Sequence, residues 1–287
     1  MTPEHVTVYG NDHSPWVQAV LLGLHDRGIA HTLVSVPPLS VFLRSGVLMP
    51  AARIDDAPWM LDSAAILEAL GYPAVPAEDR RSLQVLFGSS ALRRTDIARR
   101  FWWRFSLARD GHPSVLRRHW NHFWRAFSIF YFFVLIRIGR RTMAPRGPDP
   151  GRKAMLALQA RLEPTTRFFG GDVPNTVDLQ LFGLVQMFSS IPVPELGILQ
   201  DDPELERLRG WVGEMQRRFS HYDHLYGATD FEPRLQPPPT SGMTERIAFW
   251  LGAALMWLAF PITLPLVVFF VSRVRKSGRV GRIADRG

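Results

Sequence analysis

The sequence predicts an α/β domain followed by an all-helical domain and a C-terminal helix suited to a membrane, and three observations carry that prediction. Near the N-terminus, strand-like alternation at Val6 to Gly10 and at His31 to Val36 flanks a helical stretch. Strand, helix and strand within about 30 residues is a βαβ unit with parallel strands. From Arg80 onward strand patterns give way to apolar residues at helical spacing. Near the C-terminus, Ile247 to Val271 is 25 residues without a charge, enough for a bilayer crossing with some tilt. The whole chain, 287 residues, is long enough for two cores.

In the first domain Val6 to Gly10 reads as a strand and Asn11 to His13 as a polar turn. Ser14-Pro15 opens a helix, with serine as cap and proline at the first helical position. Trp16, Val17, Val20, Leu21 and Leu24 give its apolar spacing, and Gly28 ends it. Pro37-Pro38 break the second strand, and Leu39 to Leu43 form a modest helical patch. Met49 to Leu70 then supplies a proline-led turn, a strand Ala51 to Asp55, a tight turn Asp56 to Pro58 and a short strand Trp59 to Leu61. A helix opens at Asp62-Ser63, carried by Ala64, Ile66, Leu67 and Leu70, and is stopped by Gly71.

Two stretches, VYGNDHSPWVQAVLLGLHDRGIAHTLV and MPAARIDDAPWMLDSAAILEAL, resemble the glutathione-binding domain of serine-type glutathione transferases, which is thioredoxin-like. In that family a cis-proline opens the third strand and an acidic-serine pair opens the third helix; Pro50 and Asp62-Ser63 stand at those places. The resemblance implies that the main chain of Met49 pairs with the cysteinyl part of glutathione, while Asp62 and Ser63 hold its γ-glutamyl end. Ser14 matches the catalytic serine. Its chemistry is sound without the family, since a hydroxyl at a helix N-terminus can donate to a thiolate and the dipole favours the anion. The plainer reading makes Ser14 and Asp62-Ser63 helix caps and Pro50 a turn proline. Tyr9, in the strand before a glycine, is expected to pack, and Arg44 and His13 are weak candidates for the glycine carboxylate.

Tyr72 to Asp79, with two prolines, reads as an interdomain linker. Helices are expected at Arg80 to Asp110, Pro113 to Arg141, Pro150 to Gly170, Thr176 to Ser190 and Pro203 to Phe219. The fourth is the clearest, because Asn175 and Asp178 form a reciprocal cap ahead of LQLFGLVQMF. GGDVPNTVDLQLFGL also resembles the capped core helix of the transferases' helical domain, which gives Asp178 a structural role. Arg99 to Arg141 holds ten arginines, twelve aromatic residues and one acidic residue. It reads as an aromatic core helix, as a pocket wall for an apolar electrophile through Trp102 and Trp103 with Trp120 and Trp124, or as a helix on an anionic membrane. Phe123 to Ile136 is too short to span a bilayer. His119 with His122, and His221 with His224, are expected to be surface or capping histidines. The chain has no cysteine, so disulfides, thiolate metal sites and a cysteine nucleophile are excluded, and no metal is expected.

LQPPPT is a stiff spacer ahead of the apolar segment, and Arg273, Arg275, Lys276, Arg279 and Arg282 follow it. The basic tail places the C-terminus in the cytoplasm, and MTPEHVTVYGNDHSPW is too polar for a signal peptide. Pro261 and Pro265 suggest a kinked or re-entrant hairpin that keeps both ends on one side. The other option is a tail anchor, similar to the arrangement in metaxin-like and ganglioside-induced differentiation-associated proteins. The expected division is 1–73 thioredoxin-like, 78–233 all-helical, 234–245 proline-rich linker, 246–272 membrane segment and 273–287 basic tail. The expected function is conjugation of glutathione, as co-substrate, to an apolar electrophile at a membrane, with the glutathione-binding domain in the cytoplasm. A non-catalytic adaptor on the same fold is the rival. Soluble members of the family often pair through the first domain, so a homodimer is among the expected partners. The net charge of +8 fits an anionic surface, and without a recognisable module nucleic acid is not expected.

Overall fold

The computed structural model describes residues 3–11, 14–34, 36–91, 110, 114–143, 145–190, 194–222 and 241–276. Its first part is a four-stranded sheet of β1 (Val6–Tyr9), β2 (His31–Val34), β3 (Ala51–Ile54) and β4 (Met60–Leu61), in the order β2-β1-β3-β4. β1 runs parallel to β2 and antiparallel to β3, and β3 is antiparallel to β4. With α1 (Pro15–Asp26), α2 (Leu39–Ser45) and α3 (Ser63–Ala69) this is the thioredoxin-like arrangement expected from the sequence. The βαβ crossover α1 forces the parallel pair, and the short turns around β3 allow the antiparallel ones.

The second part is all helical: α4 (Ala77–Ala91), α5 (Val115–Met143), α6 (Pro150–Arg161), α7 (Thr176–Ser190), α8 (Pro194–Asp201), α9 (Glu206–Arg218) and α10 (Met243–Lys276). Several sequence expectations are corrected. The helix expected to run to Gly170 stops at Arg161. Pro164 disfavours a helical Glu163, and Leu162 has already turned extended at ψ 112°. The last helix of the domain begins with a separate 3-10 turn, Pro203–Leu205. The apolar C-terminal segment is no hairpin, because α10 continues through both Pro261 and Pro265. Four residues apart, the two prolines release only the carbonyls of Trp257 and Pro261, which one packed helix can tolerate. Trp102 and Trp103 lie outside the described residues.

α1 is apolar all round because it is covered on both sides: Val17, Val20, Leu21 and Leu24 are fully buried between the sheet with α3 and helix α7. Burial of each such side chain contributes about 2 kcal/mol. Small residues bring the helices close. A Cβ on Gly23 would stand 2.5 Å from Leu67, and one on Gly183 of α7 would stand 2.2 Å from the Pro15 carbonyl. Polar bonds fix the same seam: Tyr72 donates to Gly23 O (3.1 Å) and Asp26 Oδ2 (2.8 Å), Arg218 pairs with Asp26, and Thr176 donates to Pro73 O. α7 starts as expected. Asn175 Oδ1 accepts from Val177 N and Asp178 N, while Asp178 accepts from Asn175 N (2.8 Å), Phe169 N (2.9 Å), Gly170 N (3.1 Å) and Trp211 Nε1 (2.7 Å).

α5 and α10 lie side by side and parallel, with Arg118 and His122 against Glu245, Phe123 against Gly252, Phe130 against Phe260 and Tyr131 bonded to Thr263. His122 is therefore fully buried, 3.5 Å from Glu245, and is no surface histidine. Its sequence position gave no sign of a partner more than a hundred residues away. His119 bonds Val115 O at 2.7 Å on the exposed side of α5, in keeping with the expected surface histidine, while His224 lies outside the described residues.

Candidate functional site

The turn after β1 is built to bring α1 close to the sheet. Gly10 has φ +158° and donates to Val34 O at 3.0 Å, and a Cβ there would meet Val17 Cγ2 at 2.4 Å, so the position admits only glycine. Asn11 N then faces Met49 Sδ at 3.3 Å, and Asn11 O accepts from Ser14 N at 2.8 Å. The register does the rest. Tyr9 pairs with Ala51 and Ala51 with Leu61, so one residue further along each ladder are Gly10, Pro50 and Asp62. Thus Ser14, Met49, Pro50, Asp62 and Ser63 gather at one end of the sheet, where the N-termini of α1 and α3 also meet.

Met49-Pro50 is a cis peptide, immediately before β3. The N–H and C=O of Met49, just before the inner strand β3, take no hydrogen bond from the described residues, so both are left for another partner. Ser14 has the extended backbone of a helix cap (φ −73°, ψ 128°), and its carbonyl accepts from Gln18 N at 2.9 Å, yet its hydroxyl makes no cap bond. A serine serving only as a cap would spend that oxygen on the second or third N–H of the helix. Half-buried at the N-terminus of a twelve-residue helix, the hydroxyl is left to point elsewhere.

Asp62 does cap α3, with Oδ1 accepting from Ala64 N at 2.8 Å. It does so at φ +82°, ψ 122°, a backbone conformation that costs a non-glycine residue about 1–3 kcal/mol and recurs where a binding geometry is held. Ser63 is only 5% exposed, and its Oγ accepts from Gln180 Nε2 of α7 at 3.0 Å. The hydroxyl is thus oriented by the helical domain and keeps its own proton to donate. Gln180 was missed in the sequence, where a polar residue inside the run LQLFGLVQMF was its only signal.

Tyr9 packs as expected. It is fully buried among Val41 and Ala51, its hydroxyl reaches Val47 O at 3.4 Å, and burial pushes the phenol well above its usual range. Arg44 Nη1 donates to Trp59 O at 3.2 Å, and His13 lies outside the described residues. The aromatic pair on the described side of α1 is Trp16 against Phe87 of α4, with centroids 5.7 Å apart. Among the described residues no three His, Asp or Glu side chains converge on a common point.

A cis-proline before β3, the β2-β1-β3-β4 order and an aspartate-serine start to α3 now stand on one thioredoxin-like frame joined to an all-helical domain. The architecture is a thioredoxin-like domain followed by an all-helical one. No family model matches the chain, and no curated protein matches its sequence. Solved structures similar in fold are glutathione transferases of several classes. A transferase Omega 2S from Trametes versicolor, in complex with 2,4-dihydroxybenzophenone, is 13% identical over 76% of this chain and 90% of its own, with a TM-score of 0.44. A theta-class enzyme from Xanthomonas axonopodis pv. citri, with glutathione bound, is 18% identical over 75% and 96%, at 0.40. One from Pseudomonas fluorescens is 18% identical over 77% and 97%, at 0.42.

Proposed function

We propose that the protein binds glutathione at this end of the sheet and transfers it to an apolar electrophile, with Ser14 holding the sulfur as a thiolate. The observation that carries the reading is the Ser14 hydroxyl, placed at the start of α1 and not used as a cap. The unpaired main chain of Met49 suits an extended peptide added as a further strand, whose cysteinyl N–H and C=O would satisfy it. A γ-glutamyl group running on toward α3 would offer its ammonium to the Asp62 carboxylate and its α-carboxylate to the Ser63 O–H. The cysteinyl sulfur then lies toward α1, where two effects act in one direction. A hydroxyl bond to an anion contributes about 1.5–3 kcal/mol and the dipole about 0.3–1 kcal/mol. Together these lower a free thiol pKa of about 8.5 by roughly one to three units.

Trp16 and Phe87, beside Ser14 and on α4, offer the apolar wall that the electrophile needs; Trp102 and Trp103 remain the sequence-based proposal for its other side. The apolar α10 tethers the protein to a bilayer, with the glutathione-binding domain on the cytoplasmic face. It is long and apolar enough to cross a membrane, and only 17% of its most apolar window is buried inside the protein, unlike a soluble core helix.

Calorimetric titration of glutathione into the full chain in detergent tests the reading. Saturable one-to-one binding is expected, weakened about tenfold or more by Asp62→Ala, as for loss of one charge-assisted contact. No binding by the folded chain, at concentrations well above the roughly 1 μM–1 mM span of enzyme substrate constants, would replace the transferase with a non-catalytic adaptor.

A further inference from the structure

α10 has two apolar faces with different fates. On one face Glu245, Phe249, Gly252, Met256, Val267 and Phe270 recur at helical spacing, and all are buried. α5 covers the first part of that face: Arg118 bonds Glu245 at 2.8 Å, Gly252 sits against the Phe123 carbonyl, and Phe130 packs on Phe260 at 5.2 Å. The thioredoxin-like domain covers the last part, with Phe42 of α2 5.5 Å from Phe270 and with Val47 in one cluster with Met256 and Val267. Ile247, Leu251, Leu255, Leu258, Ile262 and Leu266 form the opposite face, each 44% to 80% exposed. At 1.5 Å per residue that strip is about 30 Å long.

A helix that crosses a bilayer is surrounded by lipid, or by other apolar elements, for some 30 Å. α10 instead lies along the protein over this distance, and its far end rests on a domain whose sheet and exposed Arg44 have no place in hydrocarbon. Resting on the tethering proposed above, we infer that α10 does not cross the bilayer but lies in the plane of one leaflet, its exposed strip among the acyl chains. The partner is an anionic bilayer. Arg246 precedes the strip, Arg273, Arg275 and Lys276 follow it, and the chain carries +8, while the exposed Trp257 flanks it at interfacial depth. Both ends of α10 then stay on the cytoplasmic side, in one unbroken helix and without a hairpin. The seat also brings α2, and the segment leading from it to Met49, against the membrane surface.

The chain has no cysteine, so single cysteines can report the sidedness of each end. Thr244→Cys and Ser272→Cys chains, synthesised cell-free beside sealed phosphatidylcholine–phosphatidylglycerol vesicles, are floated with the vesicles and exposed to a membrane-impermeant maleimide before and after detergent. The in-plane seat predicts that both cysteines react fully before detergent. It also predicts that Leu255→Asp with Leu258→Asp lowers flotation about tenfold, with helicity by circular dichroism unchanged. A chain that floats with one cysteine shielded until detergent is added spans the bilayer, and the in-plane seat is overturned while the tether stands. A chain that fails to float overturns the tether and the inference with it, and self-association through the strip then shows as a dimer by light scattering. Flotation unchanged by the aspartates would remove the strip from the contact.

Discussion

Asp178→Ala lowers the unfolding free energy of the protein by about 3–5 kcal/mol, because four buried donors lose their acceptor together. Asp178 is fully buried and accepts from four N–H groups, three of the main chain and the Trp211 indole. Each buried donor left without an acceptor costs about 1–3 kcal/mol, and water admitted to the gap recovers part of the sum. Burial pushes this carboxyl above its usual range, against the four donors, which hold it down; the residue is there for its acceptor geometry. Asparagine is therefore no substitute, because its amide would face donors with donors. Urea unfolding of both variants checks this. A loss below about 1 kcal/mol, the worth of one ordinary hydrogen bond, would mean that the cluster is not a joint of the fold.

Gly183→Leu separates α7 from α1 and disturbs the site at the same time. The Cβ alone would lie 2.2 Å from the Pro15 carbonyl and 3.2 Å from Ala19 N, and main chain cannot move aside as a side chain can. Overpacking of this kind costs about 1–3 kcal/mol, with this case at the upper end. Replacing a mid-helix glycine returns at most about 1 kcal/mol of helix propensity, so the loss wins. Pro15 follows Ser14 directly, and Gln180 of the same helix orients Ser63. Thermal unfolding should therefore show a lower midpoint, and glutathione binding should weaken. Gly210, on α9 with open space around its Cβ position, is the control in which leucine leaves glutathione binding unchanged and, by its helix propensity, raises the midpoint slightly instead of lowering it.

What the sequence disclosed was local chemistry, and what it hid was contact at a distance. The start of α1 at Ser14-Pro15, the sheet of the first domain and the Asn175–Asp178 cap follow from signals a few residues apart, and all are in place. α8 is not among the helices expected from the sequence, although Pro194 suits a first helical position. α6 ends at Arg161, short of the expected Gly170, just ahead of Pro164. At the candidate site, Asp62 and Ser63 were legible as a helix start. The left-handed backbone of Asp62 and the bond from Gln180 were not, since both are set by elements that meet only in the fold. The same holds for His122 with Glu245, and for the resting place of α10, whose uniform apolarity gave no hint of which face is covered.

The role proposed for Ser14 and the start of α1, to hold a bound sulfur as its anion, can be read from the ultraviolet absorbance of the thiolate. Glutathione bound to the full chain should ionise roughly one to three pH units below the free thiol, so that thiolate absorbance appears at lower pH. Ser14→Ala should move the transition back up by about one unit or more, the worth of a hydroxyl bond to an anion, with only a small change in affinity. A thiol that ionises at the same pH in the wild-type protein and in Ser14→Ala would contradict the account.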